Sequence, residues 1–279
     1  MGALDGIALI PPDRPMRWIF LIACLLTLPA AAREQVTLPS GQESPTTLTG
    51  WLAEPPGPGP FAAVVLMHGC GGAYTPSGKL NNRHLQWEEV LLGQGYAVLH
   101  LDSFSPRGIS QICTTQDRTV RASIERKRDA HATLAYLRTR AEINPTRIGL
   151  LGWSNGGSSV LAAMEEPGFK TAVAFYPGCR ASATRFYHPA GPLLMLHGAD
   201  DNWTPPARCQ EMLAAMRHAG QSVEAVEYPG AYHDFDWPGR ELRTHKGVRT
   251  LSGTAISGTN EPARQDALAR VPTFLRQHL

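Results

Sequence analysis

Arg147-Ile148-Gly149-Leu150-Leu151-Gly152-Trp153-Ser154-Asn155-Gly156 decides how the rest of the chain is read. It opens as a short apolar strand and ends in G-x-S-x-G, with a helix predicted from Asn155 to Met164. A serine at a strand-to-helix turn is held in a strained conformation with its hydroxyl above the sheet. The helix that follows points its N-terminus, and therefore unpaired N–H groups and positive dipole, at the same spot. Ser154 is the candidate nucleophile on that context, since the bare motif also occurs as a Gly-rich packing turn.

Outward from this segment, strand and helix alternate. Phe61–Met67 is a continuous apolar run, as in strands buried on both faces. Further strands are expected at 96–101, 171–176, 193–196 and 223–228. Helices are expected at 82–93, 117–140, from Thr204-Pro205 as N-cap and first position to about His218, and from about Pro262 to the C-terminus. An edge hairpin is expected around Leu48–Ala53, and residues 239–260 show no clear period. The alternation predicts an α/β architecture, with a mostly parallel sheet and helices on both faces.

A serine hydroxyl needs a base and an acid to orient that base. Where strands and helices alternate around a strand–turn–helix serine, the order along the chain is Ser, then Asp or Glu, then His. Asp201, in Gly198-Ala199-Asp200-Asp201-Asn202-Trp203-Thr204-Pro205, follows the strand that ends at Leu196, and Asp200 is the second choice. Of the ten histidines, only His233 lies close behind the last strand. Two backbone N–H groups are needed for a developing oxyanion. Asn155 supplies one, and Cys70 in His68-Gly69-Cys70-Gly71-Gly72 supplies the other, with His68 in a structural role.

With 279 residues and 43% hydrophobic content, the chain can build one large core. Its formal charge of +2 leaves no electrostatic footprint for nucleic acid. No H-E-x-x-H or C-x-x-C suggests a metal, and no G-x-G-x-x-G follows a strand, so no cofactor is expected. Met16-Arg17, the apolar run Trp18–Leu28 and Ala30-Ala31-Ala32 read as a secretory signal peptide over residues 1–32. Met16 would be the true start, making residues 1–15 a mis-assigned beginning, and residues 33–279 would form a single domain. The run is too short for a comfortable membrane span. Leu21-Ile22-Ala23-Cys24 offers a rival reading as a lipidation site at Cys24. Periplasmic or secreted localisation leaves four cysteines, Cys70, Cys113, Cys179 and Cys209, as disulfide partners or buried thiols.

These segments together resemble the dienelactone hydrolase family. The resemblance is carried by His68-Gly69-Cys70-Gly71-Gly72, Leu101-Asp102-Ser103-Phe104, Arg128-Asp129-Ala130, Gly152–Gly156, Phe175-Tyr176-Pro177-Gly178-Cys179, Gly198–Pro205 and Tyr228–His233. It implies the α/β-hydrolase fold and a small-molecule ester or lactone substrate. It places an arginine near Arg107 for a substrate carboxylate, while Trp153, Phe104 and Trp203 would wall an acyl pocket or pack the core. The fold it implies favours the pairings Cys70–Cys113 and Cys179–Cys209. The founding members use a cysteine nucleophile, and this chain has Ser154, so a general carboxylic-ester hydrolase is the reading that results. A serine peptidase or acyl transferase with the same three residues, and a non-catalytic binding protein on the same fold, are the alternatives. Oligomeric state is not specified by the sequence.

Overall fold

The computed structural model of the protein describes residues 2, 33–41, 46–179, 187–221 and 223–279. The leader reading, including Cys24, lies outside the described residues.

Eight strands form one sheet in the order β1-β2-β4-β3-β5-β6-β7-β8. They are β1 (Arg33–Pro39), β2 (Thr47–Ala53), β3 (Phe61–Met67), β4 (Ala97–Asp102), β5 (Ile143–Trp153), β6 (Ala172–Phe175), β7 (Leu193–Gly198) and β8 (Val223–Tyr228). Only the β1–β2 and β2–β4 pairings are antiparallel; the rest are parallel. The helices are α1 (Asn82–Gly93), α2 (Glu125–Leu137), α3 (Asn155–Ala163), α4 (Ala207–His218) and α5 (Glu261–His278), and β9 (Arg243–Lys246) pairs with β10 (Thr254–Ser257) as a separate antiparallel ribbon.

Successive side chains of a strand point to opposite faces, and both faces here are covered. Ala63, Val65 and Met67 of β3 pack with Leu134 of α2, Val160 of α3 and Met212 of α4. Val64 and Leu66 pack with Trp87 of α1 and Phe274 of α5. A strand buried on both sides has no polar face, which explains the unbroken apolar runs at β3, β6 and β7. The chain builds β3 and β4, then returns to place β5 on the other side of β3. The β3 and β5 loops therefore leave in opposite directions and open a crevice at the strands' carboxyl ends.

Three expectations are corrected. The helix expected at 117–140 spans only Glu125–Leu137. Val120 is instead drawn into a small cluster with Cys70, Phe104 and Ile112, and Glu125 accepts from the Arg121 amide at 2.8 Å. Thr204 does not cap α4, which begins at Ala207 after Pro206, because its hydroxyl is engaged by the site described below. The unpatterned stretch 239–260 holds the β9–β10 ribbon, whose β9 is largely exposed and so carries no apolar alternation.

Candidate functional site

Four loops at the carboxyl ends of β3, β5, β7 and β8 converge. Ser154 follows β5 directly, with φ 54° and ψ −115°. This left-handed geometry is costly for a residue with a Cβ, and its neighbours leave no room for relief. A Cβ at Gly156 would fall 2.0 Å from the Met67 carbonyl oxygen, and one at Gly152 would fall 2.6 Å from the backbone of Gly156. The two glycines of G-x-S-x-G are thus required by close contact between α3, β5 and β3.

The Ser154 Oγ lies 2.9 Å from His233 Nε2, and His233 Nδ1 lies 2.7 Å from Asp201 Oδ2. A carboxylate only accepts, so Nδ1 carries the proton and Nε2 is free to accept from the serine. Asp201 is held in turn: Oδ1 accepts from the Trp203 and Thr204 amides at 2.8 and 2.9 Å, and Oδ2 accepts from the Thr204 hydroxyl at 2.9 Å. Burial disfavours the charge of Asp201, but His233 and the Thr204 amide outweigh it and hold the carboxyl below its ordinary range. Burial also disfavours a charged His233, and the Asp201 carboxylate overcomes this and raises its pKa. Asp200, the second choice for the acid, is exposed and makes no such contact; its amide donates to the Ala231 carbonyl at 3.0 Å.

The Cys70 amide lies in the loop after β3, and the Asn155 amide opens α3 directly after Ser154. Neither donates in any turn or loop hydrogen bond among the described residues, and the first N–H of a helix has no intrahelical acceptor. Cys70 is bonded to Cys113 and Cys179 to Cys209, with Cα separations of 4.9 and 5.1 Å, the pairing that the resemblance favours. His68 is buried; its Nε2 accepts from the Ser103 amide at 3.3 Å, a structural use.

Beside Ser154 opens a cavity of about 500 Å³, lined by Cys70, Tyr74, Trp203, Trp237, Arg240, Arg243, His245 and Lys246 among others. Two residues expected near substrate are elsewhere. Arg107 forms a two-pronged ion pair with Asp129, 2.8 Å on each side, and donates to the Ser103 carbonyl; it orders the β4 loop and does not line the cavity. Trp153 is fully buried and gives its indole N–H to Asp236 at 2.8 Å. Phe104 packs in the cluster under Cys70, while Trp203 does line the cavity and lies 5.0 Å from the His233 ring.

The cavity's cationic wall was not foreseen. Arg83 of α1 donates to Tyr176 and Asp234, both at 2.7 Å, and Asp234 also accepts from Arg240 at 2.7 Å. Burial works against the Arg83 charge, but Tyr176, Asp234 and Asp236 around it raise its pKa. Tyr176 donates to Asp236, which also accepts from Trp87 at 3.0 Å. Ser154, Tyr176 and Asp234 are the described non-glycine residues with positive φ, and all three belong to this site. The doubled acid in His233-Asp234-Phe235-Asp236 was the available signal, but in sequence it looks like an ordinary polar loop. Among the described residues, no group of three or more His, Cys, Asp or Glu side chains is placed to hold a metal.

The profile of the dienelactone hydrolase family matches residues 48–279. A protein of Synechocystis sp. assigned as a carboxymethylenebutenolidase is 25% identical over 201 residues, 67% of this chain and 81% of its own. Among solved structures, a Klebsiella pneumoniae protein assigned as a dienelactone hydrolase superposes with TM-score 0.65 at 19% identity, over 88% of this chain and all of that one. The acylaminoacyl peptidase of Pyrococcus horikoshii superposes with TM-score 0.68 at 15% identity, over 91% of this chain but 42% of the peptidase. The structures share the α/β-hydrolase fold, and the family profile covers most of the sequence that builds it. The chain belongs to the dienelactone hydrolase family.

Proposed function

We propose that the protein is an exported serine hydrolase that cleaves carboxylic esters or lactones through an acyl-enzyme on Ser154. The observation that carries this reading is the unbroken Ser154–His233–Asp201 chain of hydrogen bonds, set on a strained turn at the mouth of a cavity. Ser154 Oγ attacks the substrate carbonyl carbon while His233 Nε2 takes its proton. The carbonyl oxygen becomes an anion and is held by the Cys70 and Asn155 amides. His233 then gives the proton to the leaving alkoxide oxygen, and the C–O bond breaks. A water, deprotonated by the same nitrogen, then attacks the acyl carbon; the bond to Ser154 Oγ breaks, His233 returns the proton to Oγ, and the acid leaves. Every step uses side-chain and backbone groups of the chain. Export is supported by two disulfides, which persist in oxidising compartments.

Purified protein assayed with short p-nitrophenyl esters, a lactone panel and a fluorophosphonate probe, beside Ser154→Ala, tests the proposal. Turnover and labelling should both vanish in the variant. Folded wild-type protein that shows neither would refute the assignment. An acyl-peptide panel run alongside separates esterase from peptidase preference.

A further inference from the structure

One arginine beneath the site has no part in the steps above. Arg126, in the first turn of α2, is fully buried. Its Nη1 donates to the Asn155 side-chain oxygen at 2.7 Å, and its Nη2 donates to the His68 carbonyl at 2.7 Å. A single planar fork therefore ties the residue after the nucleophile to the residue two before Cys70. Those segments leave β5 and β3 in different directions, and each carries one of the two oxyanion amides.

The position is poorly explained as packing. The guanidinium lies 5.1 Å from the Phe104 ring centroid, and its Nε has no hydrogen-bond partner. Among the described residues, it forms no ion pair within 4 Å. The carboxylates nearby are engaged by other groups: Asp129 by Arg107, and Asp102 by the Phe104 and Ser105 amides at 2.9 Å. A buried cation without a paired anion is expensive to desolvate, and an apolar side chain of similar length would fill the space without that cost. The loop after His68, Gly69-Cys70-Gly71-Gly72, is rich in glycine; the Cys70–Cys113 disulfide ties it to the loop after β4, and the Arg126 fork ties its start to α3. Oxyanion donors act only when aimed to within a few tenths of an ångström of where the charge appears.

We propose that Arg126 is a positioning residue of the oxyanion hole. It sets the spacing of the Cys70 and Asn155 amides and places a positive charge behind them. This rests on the acyl-enzyme reading of Ser154. A lysine is a point charge and cannot bridge two acceptors as a planar fork does, so it should restore only part of the effect.

The test uses full-length Arg126→Lys and Arg126→Met beside wild type and Ser154→Ala. A fluorophosphonate titrated to its endpoint counts reactive serines. Turnover per reactive serine is then measured with p-nitrophenyl acetate, and inhibition with phenylboronic acid, whose tetrahedral anion needs the same donors. Arg126→Met should keep the endpoint, lose about 10²-fold in kcat with KM within about threefold, and lose boronate affinity in parallel; Arg126→Lys should fall between. A kcat per titrated serine within threefold of wild type, or an unchanged boronate affinity, would overturn the proposal. If neither arginine variant folds, Asn155→Ala breaks the same link while keeping its amide. It should lose roughly tenfold in kcat at constant KM, and an unchanged kcat would overturn the proposal. Wild-type protein that fails to label, or Ser154→Ala that still labels, would instead remove the acyl-enzyme reading and the proposal with it.

Discussion

The proposed acyl-enzyme chemistry requires the Ser154 hydroxyl, which lies 2.9 Å from His233 Nε2. Ser154→Ala should lower kcat at least about 10³-fold while the thermal unfolding midpoint is kept, as read by calorimetry and steady-state kinetics. His233 must be neutral to accept the serine proton. Since Asp201 raises its pKa above the ordinary 6.5, kcat/KM should fall as pH drops through a value above 6.5. Asp201→Asn removes the charge that raises it, so the acid limb should move to lower pH and the rate should fall by roughly 10³- to 10⁴-fold. A pH–rate profile of both proteins checks the position and the shift. Arg107 gives a contrasting case. Its partner Asp129 is fully buried, so Arg107→Leu leaves an unpaired carboxylate in the core and should cost about 3–5 kcal/mol of stability. Urea denaturation measures this. A selective rise in KM for esters bearing a carboxylate would return Arg107 to substrate binding. These residues show where sequence stopped being informative. Ser154, Asp201 and His233 follow strands at characteristic intervals, so order along the chain reveals them. Arg83, Tyr176, Asp234 and Asp236 meet through contacts 60 to 153 residues apart in sequence, and no local pattern records those.

The two disulfides act on different elements. Cys70–Cys113 anchors the loop whose Cys70 amide is proposed to hold the oxyanion, and Cys179–Cys209 ties the β6 loop to α4. Removing either should cost about 2–4 kcal/mol, since loops of 43 and 30 residues are then freed in the unfolded chain. Cys113→Ser should also lower kcat, because the Cys70 amide loses its tether, whereas Cys209→Ser should change stability alone. Melting curves and kinetics on the two variants separate the effects; equal kcat in both would detach the first bond from catalysis. Most elements were legible: β3, β5, β7, β8, α1 and α5 lie within a few residues of their expected limits. Two segments were not. The first third of the expected 117–140 helix was misread because Thr119, Val120, Ser123 and Ile124 form helix weakly and a side cluster captures Val120. The β9–β10 ribbon was missed because its outward residues are Arg243, Thr244 and Lys246.

At the scale of the molecule, strand order creates the crevice at the β3–β5 boundary, and loops from four parallel strands supply its chemistry. That much follows from alternation of strand and helix. The walls do not, because they come from segments outside that alternation. Intact mass after alkylation should show no reactive thiols among Cys70, Cys113, Cys179 and Cys209 before reduction and four after it; four before would remove the disulfides. The aromatic residues around Asp236 carry one further consequence. Trp87 and Trp153 both donate to this buried carboxyl, while Trp203 and Trp237 line the cavity. These four of the chain's six indole rings therefore fall into two optical classes, one sealed and hydrogen-bonded, the other open to whatever enters. Iodide should quench the second and spare the first, and a ligand seated beside Ser154 should shield the quenched pair, so binding can be followed by intrinsic fluorescence without a label or a chromogenic substrate.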